Sequence, residues 1–365
     1  MVAGAAGSIR MSVGTGVSVV IAVIGAGAMG AALGMHVAGP NPGTVLLATE
    51  WDGAVVEAWR NGGLHPALGL AHPLLPCRPV GEWDDDLGRA DMVIVAVSTE
   101  GLAGVLADAL PRVRGDPLWV IATKGWQADT LESPSQLAAG LLGGHDRVVS
   151  VGGPGLAPEV AVGAPTVLVC AGTDGAATAR VGQVLRGPAL STVVTDDVVG
   201  VETCSAYKNV VAVAVGMCEG FSDRLIERAS VHAFANARAA VFALGLLDMV
   251  RLAEHLGGRA ETVLGLAGSG DLYVTCLGGR NGRFGRLLGE GQTPEQARKM
   301  IGSTVEGIAN CASALALASR VSIELPTARA VELALDEKLA DHGGADEVMR
   351  LFVNGLAAST SVLKR

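Results

Sequence analysis

Continuous hydrophobic runs, separated by glycine-rich or polar turns, mark the first half of the chain. They occur in "VSVVIAVIG", "GTVLLATEWD", "ADMVIVAVST", "GDPLWVIATKG", "DRVVSVGGPG", "APTVLVCAG" and "LSTVVTDD". Because their apolar residues are consecutive rather than alternating, we expect strands that are covered on both faces. Stretches of helical character lie between the runs, and this alternation is typical of parallel βαβ units.

Helical patterns replace the strands near Val199. The stretch "ASVHAFANARAAVFALGLLDMVRLAEHLGG" predicts a long helix that stops at its closing pair of glycines. A further helical stretch opens with Thr293 as N-cap, Pro294 at the first helical position and Gln296 at the third, which is the pattern of a capping box. The chain therefore changes from an α/β region to an all-α region.

Length and composition fit two globular domains. The chain has 365 residues, which exceeds the usual size of a domain with a single hydrophobic core. Half of the residues are hydrophobic but only 3% are aromatic, so small aliphatic side chains and 51 glycines must supply much of the packing. A net charge of −9 argues against nucleic acid as a partner recognised through the overall field.

Other signals concern location. The 6 cysteines are scattered without a C-x-x-C pair, which favours core residues in a reducing cytoplasm and predicts no metal site. No uninterrupted apolar segment reaches the roughly 18 to 20 residues of a membrane span. Residues 1–16 are small and polar, and we predict a disordered extension there. A signal peptide is disfavoured because the apolar run that follows ends in a glycine-rich turn.

A glycine motif opens the first predicted helix. Gly25, Gly27 and Gly30 form G-x-G-x-x-G directly after the first predicted strand. Such glycines permit a tight turn, close approach of the backbone to a pyrophosphate and close helix–strand packing. We therefore predict a Rossmann-type dinucleotide-binding domain over residues 17–199 and an all-α substrate and catalytic domain over residues 200–365.

Glu50 is the candidate that sets the choice of dinucleotide. It lies at the end of the second predicted strand, about 20 residues beyond the motif. A carboxylate there accepts hydrogen bonds from the adenosine ribose and repels a 2′-phosphate, which favours NAD over NADP. Asp52 is the alternative for this role, and a solvated Glu50 with no such role also remains open.

Two lysines are candidates for proton transfer. Lys208 precedes the apolar "VVAVAVGM", where an isolated buried charge costs several kcal/mol. Lys124 ends the fourth predicted strand, at the edge where open α/β sheets bind ligands. Neighbouring ammonium groups lower each other's pKa, which brings a lysine towards proton transfer at neutral pH. Asp271, in a glycine-rich turn, could orient Lys208 or simply cap a helix.

A basic segment, "LGGRNGRFGR", follows Asp271. It contains Arg280, Asn281, Arg283 and Arg286. A guanidinium beside backbone amides that glycines leave free is suited to clamp a phosphate. For Arg283 and Arg286 the alternative is a solvated basic helix face.

These motifs resemble the NAD(P)-dependent glycerol-3-phosphate dehydrogenase family. The resemblance covers nearly the whole chain after residue 17 and is most specific in "GAGAMG", "ATKG", "YKNVVAVAVGM", "GSGDLYVTCLGGRNGRFG" and "STVEGIA…IELP". It implies reversible reduction of dihydroxyacetone phosphate to sn-glycerol 3-phosphate with NAD, or with NADP, in a cytoplasmic homodimer. It also implies that Lys208 is the general acid/base.

The resemblance carries over the site residue by residue. The catalytic residues that it implies are Lys208, Lys124 and Asp271. The substrate-binding residues are Lys124, Asn209, Thr275, Arg280 and Asn281. The cofactor-binding residues are Gly25, Gly27, Ala28, Met29, Gly30, Glu50, Ala157, Arg280 and Glu306.

Two departures from the family pattern bear on the substrate. The family usually has serine or asparagine where this chain has Gly155, and an arginine near the position of Ala243 and Leu244. The alternatives are a reductase of a related ketone phosphate, a ketopantoate-type reductase and a non-catalytic NAD-binding sensor. The phosphate clamp argues against the second alternative, and retention of Lys124, Lys208 and Asp271 argues against the third.

Overall fold

The computed structural model describes residues 19–71, 74–225 and 234–336. The predicted extension over residues 1–16 lies outside the described residues. The same holds for the last part of the predicted helical domain and for the start of the stretch "ASVHAF", which was predicted to open a long helix.

In the described part of the chain, eight strands form one sheet in the order β3-β2-β1-β4-β5-β6-β7-β8. They are β1 (Ile21–Ile24), β2 (Val45–Leu47), β3 (Cys77–Arg78), β4 (Met92–Val95), β5 (Leu118–Ile121), β6 (Val148–Gly152), β7 (Thr166–Ala171) and β8 (Leu190–Thr195). Each predicted strand is present, and the two-residue β3 is an addition. Neighbouring strands pair in parallel except β6 and β7, which are antiparallel. The parallel βαβ pattern expected from the sequence therefore holds except at this pair, where the connection contains a helix of only 5 residues.

Helices cover both faces of the sheet and form the second half of the chain. They are α1 (Ala28–Ala38), α2 (Gly53–Arg60), α3 (Asp84–Leu87), α4 (Thr99–Ala109), α5 (Pro134–Leu142), α6 (Ala157–Ala161), α7 (Gly175–Leu185), α8 (Val198–Leu225), α9 (Ala235–His255), α10 (Ala260–Leu264), α11 (Asp271–Cys276), α12 (Arg280–Gly289), α13 (Pro294–Ile301), α14 (Glu306–Arg320) and α15 (Pro326–Ala334).

The predicted capping box at the start of α13 is confirmed. Thr293 and Gln296 each accept a hydrogen bond from the backbone of the other. The helical stretch that begins there contains two helices, because Gly302 ends α13 with a φ of +66° before α14 begins.

Helix α8 is the centre of the helical region. It contacts α9, α11, α12, α14 and α15, and also strand β6 of the sheet. Helix α12 crosses it closely, since a Cβ on Gly285 would lie 2.0 Å from the carbonyl oxygen of Val213. By length and composition alone α8 could cross a membrane, but 89% of its apolar window is buried inside the fold. It is therefore a core helix that joins the sheet to the helical region.

Candidate active site

The glycine motif forms an open turn between β1 and α1. Gly25 has a φ of +101°, and a Cβ there would lie 2.6 Å from the Ala96 carbonyl oxygen. A Cβ on Gly30 would lie 1.9 Å from the Gly25 carbonyl oxygen, so both positions require glycine. A Cβ on Gly27 would meet nothing within 4 Å, which leaves the N-terminus of α1 accessible. This open cradle fits the pyrophosphate of a dinucleotide.

Three of the other residues expected at the dinucleotide lie on the helices beside this turn. Ala28 and Met29 are the first residues of α1, and Ala157 begins α6, which packs against α1. Exposed Glu50 lies just beyond β2 and helps to line a cavity of about 380 Å³, together with Arg60. Its lining residues include Thr49 and Glu50, just beyond the end of β2, where a carboxylate that binds the adenosine ribose is expected.

Asp52, the alternative to Glu50, is already engaged by the protein. Its Oδ2 accepts hydrogen bonds from the Ala26 N–H at 3.0 Å and from the Thr49 N–H at 2.8 Å. Because its carboxylate is held by the backbone of the glycine turn, Glu50 is the freer of the two carboxylates to meet a ribose.

A cluster of three charged residues, two of them buried and Lys124 half-buried, lies between the sheet and the helical region. Lys208 Nζ donates to Asp271 Oδ1 at 2.5 Å, and Lys124 Nζ donates to Asp271 Oδ2 at 3.3 Å. Lys208 comes from α8, Asp271 begins α11 and Lys124 follows β5. The three residues that sequence analysis selected as catalytic are thus brought together, and we call them the lysine–aspartate cluster.

Burial lowers the pKa of Lys208 to about 8. Desolvation has the largest effect, and the ammonium group of Lys124 lowers this pKa further. Asp271 acts in the opposite direction and keeps the ammonium form accessible. The balance places the pKa close to neutrality, which suits a group that both donates and accepts a proton.

A second set of polar residues continues from the first. Asn209, next to Lys208, accepts a hydrogen bond from Asn281 Nδ2 at 3.0 Å. Asn281 Oδ1 accepts from the Gly307 N–H at 2.9 Å, and Arg280 forms an ion pair with Glu306. The start of α12 is therefore joined to α8 and to the N-terminus of α14 by these side chains.

The remaining predicted residues divide between the site and the surface. Thr275 Oγ1 donates to the Asp271 carbonyl oxygen at 2.6 Å, which places it on the helix of the lysine–aspartate cluster. Arg283 is exposed. Arg286 is exposed and pairs with Asp223 at 2.8 Å. Both arginines therefore lie on a solvent-exposed helix face, which was the alternative given for them above.

The two departures occupy different places. A Cβ on Gly155 would lie 2.7 Å from Leu168 Cδ2, so a larger residue requires Leu168 to move. Ala243 is exposed on α9, and Leu244 beside it is half-buried.

Sequence reasoning missed two arrangements of polar side chains. One links Asp52 and His65 to the backbone of the glycine turn. The other holds Glu202, near the start of α8, against Ser135 and Ser150. Each depends on residues far apart in sequence, and no local spacing signals it. Glu202 also lines the larger cavity, of about 730 Å³, to which none of the predicted site residues contributes.

Comparison with known proteins places these features in a family. The N-terminal model of the NAD-dependent glycerol-3-phosphate dehydrogenases matches residues 20–178, and the C-terminal model matches residues 197–342. A relative from Thiobacillus denitrificans, named glycerol-3-phosphate dehydrogenase (NAD(P)+), is 35% identical over 333 residues, which are 90% of this chain and 97% of the relative. A relative of the same name from Shewanella sediminis is 32% identical over 90% of this chain and 95% of its own length.

A solved structure gives the same result. The crystal structure of glycerol-3-phosphate dehydrogenase from Coxiella burnetii superposes with a TM-score of 0.78 at 30% identity. The match covers 91% of this chain and 99% of that one.

The Rossmann-type sheet with its helical C-terminal region, together with these matches, identifies an NAD(P)-dependent oxidoreductase. This chain belongs to the NAD-dependent glycerol-3-phosphate dehydrogenase family. The predicted family, fold class and enzyme class are confirmed.

Proposed function

We propose that this chain catalyses the reversible reduction of dihydroxyacetone phosphate to sn-glycerol 3-phosphate, with Lys208 as the general acid/base. The observation that carries the proposal is the lysine–aspartate cluster, in which a buried lysine with a pKa of about 8 meets a carboxylate and a second ammonium group. The substrate in this proposal is inferred from the family to which the chain belongs.

The chemistry divides between the cofactor and the cluster. A nicotinamide cofactor held beside the glycine turn would supply the hydride for reduction of the substrate carbonyl. Lys208 gives its proton to the carbonyl oxygen and takes it back in the reverse direction. Asp271 orients the Lys208 ammonium group through the 2.5 Å contact. Lys124 lowers the pKa of Lys208 and stabilises negative charge on the substrate oxygen.

The start of α12 holds the rest of the substrate. Arg280 binds the phosphate, because a half-exposed guanidinium beside glycines can present its planar fork to an oxyanion. Glu306 orients that guanidinium and lies next to the dinucleotide. Asn209, Asn281 and Thr275 contribute neutral polar groups that bind the substrate.

The glycine turn and its neighbours hold the dinucleotide through Gly25, Gly27, Ala28, Met29, Gly30 and Ala157. NAD is the preferred form, because exposed Glu50 repels a 2′-phosphate. NADP remains the alternative, because Arg60 lines the same cavity and can pair with that phosphate.

The wider setting is part of the proposal. We place the boundary between the dinucleotide-binding domain and the helical domain at residues 199–200, close to where α8 begins. The protein acts as a cytoplasmic homodimer without a nucleic-acid partner. Free cysteines fit a reducing compartment, and the net charge of −9 disfavours nucleic acid.

Oxidation of NADH by a panel of ketones tests this function. Dihydroxyacetone phosphate should be reduced well, while unphosphorylated dihydroxyacetone and ketopantoate should be very poor substrates. Arg280→Ala should raise KM for dihydroxyacetone phosphate at least tenfold, because a bidentate contact is worth roughly 2 to 3 kcal/mol. Arg283→Ala, on the exposed face of the same helix, is the matched control and should change KM less than about twofold.

Other outcomes would overturn the assignment. Equal turnover of dihydroxyacetone and its phosphate would show that Arg280 does not bind a substrate phosphate. A better turnover with another ketone phosphate would assign the site to that substrate. Absence of any NADH oxidation across the panel would favour the non-catalytic sensor.

A further inference from the structure

The backbone of the glycine turn is held from two sides by side chains. Ala26, between the first two glycines of the motif, donates its N–H to Asp52 Oδ2 at 3.0 Å. The ring nitrogen Nε2 of His65 lies 2.9 Å from the Ala26 carbonyl oxygen. Both polar backbone groups of this residue are therefore engaged within the protein.

The hydrogen bonds at the other ring nitrogen settle the tautomer of His65. Nδ1 accepts from the Ala67 N–H at 3.1 Å and from the Leu68 N–H at 3.2 Å. A nitrogen that accepts carries no proton, so the proton of the neutral ring is on Nε2. The contact with Ala26 is consequently a hydrogen bond from Nε2–H to the carbonyl oxygen.

Packing fixes the orientation of both side chains. His65 is 1% exposed and meets the Trp59 ring edge-on, with 5.7 Å between ring centroids. Asp52 is held at the end of β2, because its Oδ2 also accepts from the Thr49 N–H and the Thr49 hydroxyl, each at 2.8 Å. The two side chains thus form a rigid support for the turn.

We infer that Asp52 and His65 are positioning residues for the dinucleotide, and that they preform the turn before the ligand arrives. The inference rests on the proposed function for the identity of the ligand. With the Ala26 N–H committed to Asp52, the phosphates must be bound by backbone N–H groups from Gly27 onward, at the start of α1. A turn that is already ordered pays less conformational entropy on binding.

Two substitutions of His65 separate this role from simple packing. His65→Asn keeps an acceptor near the position of Nδ1 but has no donor that reaches Ala26. His65→Gln extends an amide N–H towards the Ala26 carbonyl oxygen. His255→Asn, at an exposed position near the end of α9, is the matched control. Asp52→Asn probes the same turn from the other side and keeps an oxygen as acceptor.

The first readout needs no ligand. Hydrogen–deuterium exchange of the peptide over residues 21–31 in the ligand-free protein should be about fivefold faster or more in His65→Asn. The second readout is the Kd for NADH from calorimetric titration, which should rise about 5- to 20-fold. KM for dihydroxyacetone phosphate and kcat at saturating NADH should change less than about twofold, because the lysine–aspartate cluster is untouched.

Rescue and control complete the test. His65→Gln should recover at least about half of the lost affinity, and His255→Asn should match the wild type in both readouts. If His65→Asn does not fold, Asp52→Asn replaces it, with faster exchange and weaker NADH binding expected at roughly 2- to 5-fold.

Failure of this inference is distinguishable from failure of the proposed function. Exchange and NADH affinity of the folded variants within about twofold of the wild type would overturn the positioning role. A wild type that binds no NADH would instead overturn the proposed function, and the exchange comparison would still decide whether the side chains order the turn.

Discussion

Helix α8 carries two buried ionisable residues, Glu202 and Lys208, whose partners differ. Glu202 is bound by neutral hydrogen-bond donors, whereas Lys208 is bound by ionisable side chains. Glu202 Oε2 accepts from the Ser135 hydroxyl at 2.6 Å and from the Ser133 hydroxyl. Its Oε1 accepts from the Ser150 hydroxyl at 2.6 Å and from the Ser135 N–H at 2.9 Å. Lys208, six residues further on, instead meets the carboxyl group of Asp271 and a second lysine.

The partners decide what each charge can do. Neutral donors stabilise the carboxylate of Glu202 and join α8 to α5 and β6, but they offer no group that titrates near neutral pH. Burial lowers the pKa of Lys208 to about 8, and its two ionisable partners shift that pKa in opposite directions. We therefore expect Glu202 to hold the two regions together and Lys208 to transfer the proton.

The largest expected effect comes from Lys208→Met. Loss of the general acid should lower kcat/KM for dihydroxyacetone phosphate by about 10² to 10⁴. The free energy of unfolding should change by less than about 2 kcal/mol, because Lys124 still compensates Asp271. Steady-state kinetics and denaturant unfolding measure the two quantities. Lys299→Met, an exposed lysine on α13, is the control and should leave both unchanged. If the Lys208→Met variant kept more than about half of the wild-type activity, Lys208 would not be the general acid.

Glu202→Ala should show the reverse pattern. Loss of the carboxylate leaves buried hydroxyl and amide donors without an acceptor. The free energy of unfolding should therefore fall by about 2 to 4 kcal/mol. Glu202→Gln should lose less, since the amide oxygen still accepts. In denaturant titrations with kinetics on the folded fraction, kcat/KM should fall less than about tenfold. A stable but inactive Glu202→Gln protein would contradict the division of roles between the two charges.

Local patterns predicted most of the fold and pointed to the lysine–aspartate cluster, whereas Thr275 and Glu306 were implied only by the family resemblance. Strand runs and the glycine motif depend on neighbours in sequence, so each predicted strand is present and Gly25 and Gly30 meet the close contacts expected of them. The antiparallel pairing of β6 and β7 depends on how the chain returns across the sheet. The hydrogen bonds of Glu202 join residues that are 52 to 69 positions apart in sequence. The spacing of hydrophobic and polar residues within one segment does not indicate contacts at that distance.

A smaller effect is expected at Asp248, a third buried carboxylate, which accepts from the Tyr207 hydroxyl and the Thr327 N–H. Burial raises its pKa to about 6, above the ordinary value of 3.8. The folded protein therefore keeps a proton between these two pH values that the unfolded chain releases, and stability falls as pH rises through that window.

Asp248→Asn removes this titration and measures its contribution. Relative to the wild type, the variant should gain about 2 kcal/mol of stability between pH 4 and pH 6.5. Denaturant unfolding of both proteins across this range gives the difference. A constant difference at all pH values would show that Asp248 titrates alike in the folded and unfolded states.

The pH dependence of kcat/KM for dihydroxyacetone phosphate, compared among the wild type, Lys124→Met and Asp271→Asn, tests the central claim most directly. Reduction requires protonated Lys208, so activity of the wild type should fall as pH rises through about 8. This fall should move to higher pH in Lys124→Met, which loses a neighbouring positive charge, and to lower pH in Asp271→Asn, which loses the negative one. Opposite shifts would identify Lys208 as the proton donor poised by its two partners, whereas a fall at the same pH in all three proteins would contradict that account.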